Sequence, residues 1–416
     1  MDYYIIIAAL IFLAAIFGFI NARFLKLPTT IGLMLITIVY TLAVFALSYF
    51  DDTLLKAEIQ LIKEIDFEKV LMDYMLSFLL FAGALHTNFE QLKVQRWPIL
   101  AFATLGVLVS TFLVGSFVFY VLQLLGMEVD FIYCLLFGSL ISPTDPIAVL
   151  GILKKAKVPK KLETKIVGES LFNDGVGVVV FLTIFGIASA KDSPVTPLDI
   201  LTLFGQEVLG GILLGMIIGW ITYKMMKSID DFSTEVIITL AAVMVGTVLA
   251  TQLHLSAPLA MVVAGLLIGN DRVRTAAMSE TTEHYVDKFW ELIDILLNAI
   301  LFVLIGMEML ILTYQNSYLL VGVIAIPLVL ISRYISLWLP IRVFKDKLDF
   351  VPKTNLIMTW GGLRGGISIA LALSLSEDMH RDMFLVMTYI VVVFSILVQG
   401  LTVEKLVKRT SLSQAD

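Results

Sequence analysis

Apolar runs long enough to cross a bilayer follow one another along almost the whole of this chain. About 20 such residues span the hydrocarbon core. On that measure thirteen spans are expected, near 3–22, 29–49, 70–88, 97–124, 131–153, 163–190, 200–224, 233–251, 256–271, 287–312, 317–341, 354–376 and 383–403. Composition agrees: of 416 residues, 59% are hydrophobic and 15% charged, against about 45–50% and about 25% in a soluble domain. The expected fold class is an all-α polytopic membrane protein. The first run follows Asp2, without a basic leader or a small-residue cleavage site, so it reads as a retained span rather than a signal peptide. Residues 51–69 are polar enough to form an amphipathic helix at the surface.

Several function classes drop out. A net charge of −6 without a long basic block gives no footprint for nucleic acid. Cys134 is the sole cysteine, and His86, His254, His284 and His380 are scattered, so neither a disulfide nor a resident metal site is expected. HExxH, Walker A and GxSxG strings are missing. No cofactor is expected.

Orientation follows from the basic residues. Of the 29 Lys and Arg, 22 fall in alternate loops on one side, including the cluster Lys154–Lys165, and five on the other. The positive-inside rule places the first set in the cytoplasm, with the N-terminus outside and the C-terminus inside. The two remaining cations, Arg333 and Arg364, fall within spans. An intramembrane cation is costly and calls for a cavity or an acidic partner.

The candidate partners lie in two spans. The fifth contains SPTDPIAVL, in which Pro143 and Pro146 bracket Thr144 and Asp145. Proline removes a backbone donor and clashes with the preceding turn, so the helix must break. Broken backbone inside a membrane is tolerated only where it is buried or lines a wet cavity. The sixth contains GESLFNDGVGVVVF, with Glu169, Ser170, Asn173 and Asp174. On a helix Ser170 meets Asp174 and Glu169 meets Asn173 at i,i+4, making one polar patch. The oxygens of Ser170 and Asp174 suit a monovalent cation or a proton. Glu169 is the best candidate partner for Arg333, since a permanently paired Asp174 would lose its binding capacity.

The twelfth span contains GGLRGGISIALALSL, with four glycines around Arg364. Glycine at this density marks a second break or a very close helix contact. Spans five and twelve run in opposite directions, and paired interrupted spans are the best sequence pointer to a transport site. The arrangement implied is two inverted six-span repeats with spans five and twelve crossing at their breaks. There Asp145 offsets the positive half-helix ends and Arg364 the negative ones. Asp73, His86, Glu207, Glu235, Asp287, Glu291 and Asp294 read as interfacial, Glu308 as near the outer surface, and Trp97, Trp290 and Trp338 as an interface belt.

The three motifs, in this order, resemble the cation:proton antiporter-1 family, most closely its prokaryotic NhaP-like Na⁺/H⁺ antiporters, over about residues 1–405. The resemblance implies the NhaA/NhaP-like fold with unwound helices 5 and 12, a homodimer in the cell membrane, and a mobile core (about 97–190 and 317–403). That core would work against a dimerisation scaffold (about 1–88 and 200–312), with 406–416 a short cytoplasmic tail. It further implies that Asp174 binds cation or proton, that Ser170, the Thr144 carbonyl and Asp145 help to ligate the cation, and that Glu169 and Arg333 form a structural ion pair. Asn173 and Arg364 would support the unwound stretches. Relatives with an aspartate at the Asn173 place are electrogenic, so electroneutral one-for-one exchange is implied here. A third-span glutamate found in some relatives is replaced by Ala82. The competing readings are a cation channel through the same breaks, and an intramembrane aspartic protease using Asp145 and Asp174.

Overall fold

The computed structural model describes residues 3–145, 160–189, 197–313, 315–344, 350 and 353–411, and among them every regular element is a helix. In chain order the principal ones are α1 (Tyr3–Ile20), α2 (Thr29–Leu47), α3 (Thr53–Glu64), α4 (Leu76–Leu85), α5 (Val107–Leu124), α6 (Phe131–Ile141), α7 (Lys160–Ser189) and α8 (Pro197–Met226). They continue with α9 (Phe232–Gln252), α10 (Ala257–Ile268), α11 (Glu280–Glu308), α12 (Asn316–Phe344), α13 (Thr354–Gly361), α14 (Gly366–Leu373), α15 (Arg381–Phe394) and α16 (Gly400–Ser411).

Each of the thirteen expected spans contains helix among the described residues, but length and apolarity alone qualify nine helices as crossings there, or ten if α13 and α14 count as one bent span. The shortfall has local causes. The third span runs from a π-helix over Val70–Met75 straight into α4 but carries Glu68, Lys69 and Asp73 in its first turns, and α10 is short. The fifth span leaves helical geometry after Ile141, and its second half, with Pro146 and the Lys154–Lys157 stretch, lies outside the described residues.

Two groups of helices pack within themselves. One is built around α5, α6, α7, α12 and α15, with α13 and α14 laid against it. The other joins α2, α4, α8, α9, α10 and α11. They meet where α7 packs on α10 and α14 on α11. The amphipathic α3 buries Ile62, followed by Ile65 and Phe67, while Lys56 and Lys63 stay exposed.

Four side chains read as interfacial or near the outer surface turn into the bundle, although Glu235 and Glu308 do lie at helix ends. Trp290 is wholly buried, donating from Nε1 to Thr239 Oγ1 at 3.0 Å and packing on Phe81. Glu235 and Glu308 are buried, and Asp294 is half-buried on the inner side of α11. Each sits on a helix face turned toward a neighbouring helix, and distance from a span end does not record that choice of face. Trp97 and Trp338 are exposed, as an interface belt requires.

Candidate functional site

The site forms where the two broken spans touch. After α6 ends, Pro143, Thr144 and Asp145 run without helical geometry, and the Asp145 amide donates to the Leu363 carbonyl at 2.8 Å. Leu363 lies in the stretch between α13 and α14, whose axes diverge by 53°. The backbone approaches closely here. A Cβ on Gly365 would come within 2.4 Å of Asp145 Oδ2. That carboxylate therefore rests against the residue preceding α14, at the positive end of that half-helix.

Arg364 serves the opposite pole. Its Nη1 donates to the carbonyls of Ser142 at 2.5 Å and Pro143 at 2.8 Å, which the end of α6 would otherwise leave unpaired. Its own amide donates to Ser395 Oγ at 2.9 Å. The guanidinium is buried, so its charge acts at close range on the groups around it.

Helix α7 supplies the patch beside this crossing, with Glu169, Ser170, Asn173 and Asp174 all buried. Asn173 grips Thr144 from both ends of its amide. Its Oδ1 accepts the Thr144 N–H at 3.2 Å, and its Nδ2 donates to Thr144 Oγ1 at 2.8 Å. Thr144 Oγ1 lies 3.0 Å from Ser170 Oγ, which in turn donates to the Thr144 carbonyl. Since the Thr144 hydroxyl already accepts from Asn173, its own proton is free to go to Ser170, and the ring of bonds closes consistently. One turn along, Arg333 Nη1 meets Glu169 Oε1 at 2.5 Å, with both side chains buried.

Asp174 is left facing a cavity of about 50 Å³, with Thr144 and Asp145 also in its wall. On the far side α4 contributes leucines and Gly83, and α11 contributes Asn298. Ala82 faces a different cluster, with Phe81 and Leu85, so α4 brings no carboxylate to this wall. Asn298 is not singled out by the motifs, although Asp294 and Asn298 at i,i+4 inside a span are a signal of the same kind as Ser170 and Asp174. No group of three or more potential metal-ligating His, Cys, Asp or Glu side chains occurs among the described residues. The chemistry on offer is oxygen ligation from one or two carboxylates, a hydroxyl, a carbonyl and an amide.

Comparison with known proteins bears on what such a site handles. The profile described as "Sodium/hydrogen exchanger, transmembrane" matches residues 9–409. The chain is 50% identical over 409 residues to the Na(+)/H(+) antiporter NhaP of Pseudomonas aeruginosa, an alignment covering 97% of this chain and 96% of that one. It is 33% identical over 393 residues to the Na(+)/H(+) antiporter NhaH of Halobacillus dabanensis, covering 93% of each. Among solved structures, the sodium proton antiporter MjNhaP1 from Methanocaldococcus jannaschii at pH 8 matches with a TM-score of 0.76 at 19% identity, covering 99% of both chains. At that identity the match speaks for the fold alone.

Proposed function

The chain belongs to the transmembrane sodium/hydrogen exchanger family and is a multi-pass sodium/proton antiporter, and on that premise we propose that it exchanges one cation for one proton at Asp174. The observation that carries this reading is the placement of Asp174 and Asp145 on one buried cavity beside the closed Asn173–Thr144–Ser170 network. A cavity of about 50 Å³ takes only a few water-sized particles. A cation entering it sheds much of its shell and must be repaid by protein oxygens. Thr144, Asp145 and Asp174 offer oxygens in the cavity wall, with Ser170 bonded to the Thr144 carbonyl behind them.

Asp174 holds either a proton or a cation. In both states its charge is offset, whereas the bare carboxylate against these apolar walls carries the penalty of a buried unpaired ion. The α5–α7 and α12–α15 group moves against the α4, α10 and α11 side only in the two offset states, so one ion leaves for each one gained. The assembly proposed is a homodimer in the cell membrane, N-terminus outside and C-terminus in the cytoplasm, serving salt tolerance and pH homeostasis. Kinship to antiporters favours exchange over the channel and protease readings.

The test is proton flux in proteoliposomes after pulses of Na⁺, Li⁺ or K⁺, with the membrane voltage clamped. A Na⁺-driven flux indifferent to voltage supports one-for-one exchange. A rate that follows voltage as net charge transfer does, or Na⁺-driven flux surviving Asp174→Ala, overturns it.

A further inference from the structure

The cavity has an oxygen that the antiport reading leaves unused. Asn298 on α11 is 4% exposed and lines the cavity together with Asp145 and Asp174. Its Nδ2 donates to the Asp294 carbonyl at 2.8 Å and to Asp294 Oδ1 at 2.9 Å. A backbone carbonyl can only accept, so the nitrogen of the amide must face Asp294, and Oδ1 must face away from it. That Oδ1 is buried and has no hydrogen-bond partner. Leaving a buried carbonyl oxygen without a donor is costly, and a cation taken up in the cavity that Asn298 lines would recover that cost.

We propose that Asn298 is a further ligand of the transported cation, contributed from α11, and that Asp294 positions its amide. The proposal rests on the antiport reading and assigns the cation side of it a dedicated group. An amide oxygen is a hard, neutral ligand suited to Na⁺ or Li⁺. Unlike a carboxylate, it takes up no proton near neutral pH. It therefore favours the cation-loaded state over the proton-loaded one, and it does so from the helix group opposite the one carrying Asp174. This supplies an oxygen on a wall to which α4 brings only leucines and Gly83.

The experiment compares Na⁺ pulses on reconstituted wild type, Asn298→Leu and Asn298→Ala. Leucine preserves the volume and removes the oxygen; alanine controls for crowding. Both raise the apparent KM for Na⁺ about fivefold, the scale of one lost polar contact, while kcat at saturating Na⁺ falls less than twofold. Na⁺-dependent thermal stabilisation of the detergent-purified protein shifts to higher Na⁺ by the same factor. Asp294→Leu removes one of the two acceptors and raises the KM by less than the Asn298 variants do, and Asp294→Asn, which can still accept from Asn298, restores the wild-type value. An unchanged KM and an unchanged stabilisation curve in both Asn298 variants overturn the ligand. A KM raised equally by Asp294→Asn overturns the positioning role and makes Asp294 act through its charge. Wild-type protein that moves no protons on a Na⁺ pulse sinks the antiport reading itself, a result distinct from either.

Discussion

Asp145 and Leu363 tie the two interrupted spans together: the amide of one donates to the carbonyl of the other at 2.8 Å, across a separation of more than two hundred residues in sequence. The stretch after α6 and the stretch between α13 and α14 both hold backbone groups outside helical pairing, and the two meet at this bond. Arg364 completes the exchange by taking the carbonyls of Ser142 and Pro143. The unwound backbone is thereby held in place without filling the cavity beside it.

Gly365→Ala tests how tight that crossing is. The added methyl would lie 2.4 Å from Asp145 Oδ2 and 2.8 Å from its Cβ, well inside contact distance. Asp145 must then turn away or α14 must shift, and either displaces an oxygen from the cavity wall. Overpacking of this kind costs about 1–3 kcal/mol. We expect Na⁺-driven proton flux in proteoliposomes to fall at least about tenfold, as a displacement of about an ångström at a binding site can, while the variant still elutes as a folded species in detergent.

Glu169 and Arg333 make a second prediction. The pair is buried on both sides and bridges α7 to α12 at 2.5 Å. Removing one partner strands the other charge, at a cost of about 3–5 kcal/mol, whereas an apolar pair of similar volume is often neutral. Glu169→Leu or Arg333→Met alone should sharply lower the thermal midpoint in detergent. The double variant should recover most of the loss. A double variant as unstable as either single one would show that the pair contributes more than mutual neutralisation.

What could be read from the sequence, and what could not, divides along physical lines. Pro143, Asp145, Asp174, Arg333 and Arg364 stand out because proline breaks a helix and charge is expensive in hydrocarbon, both costs visible in a one-dimensional string. The i,i+4 spacing likewise anticipates one buried polar patch on α7, although its bonds run to Thr144 and Arg333 rather than within the helix. Asp294 and Trp290 were obscured by their place on α11. That helix starts at Glu280 and carries Glu283, Asp287 and Glu291 on its first turns, so Asp294 reads as one more residue of a wet helix end. Trp290 turns toward α9 rather than lipid, and a single helix sequence does not say which of its faces meets a neighbour. The crossing count differs at α4, α6 and α10, where charges in the first turns, a non-helical stretch and a short helix replace the long apolar rod that the rule of about 20 residues assumes.

Asn173 carries a third prediction, set by hydrogen-bond inventory. Its amide both accepts from the Thr144 N–H and donates to Thr144 Oγ1. Aspartate has nearly the same shape, but ionised it only accepts. Asn173→Asp should therefore break the donation to Thr144 and cost about 1–3 kcal/mol, read as a lower denaturation midpoint. It should also slow exchange through loss of order at Thr144. Conversion to a faster, voltage-driven exchanger with unchanged stability would contradict this accounting.

Arg364 supplies the last test, because its two jobs can be separated. It donates to the Ser142 and Pro143 carbonyls, and its positive charge acts within reach of Asp174. Both donations come from one nitrogen, so the planar fork of arginine is not essential to them. A lysine ammonium, with three donors, keeps the charge and has donors enough for the same two carbonyls. Arg364→Lys should thus retain measurable Na⁺-driven flux at reduced rate. Arg364→Leu removes charge and donors together and strands two buried carbonyls, each loss worth about 1–3 kcal/mol. It should abolish flux and lower the thermal midpoint. If Arg364→Leu kept the midpoint of the wild type and lost only flux, the residue would act on the ion through its charge and not by fastening the end of α6.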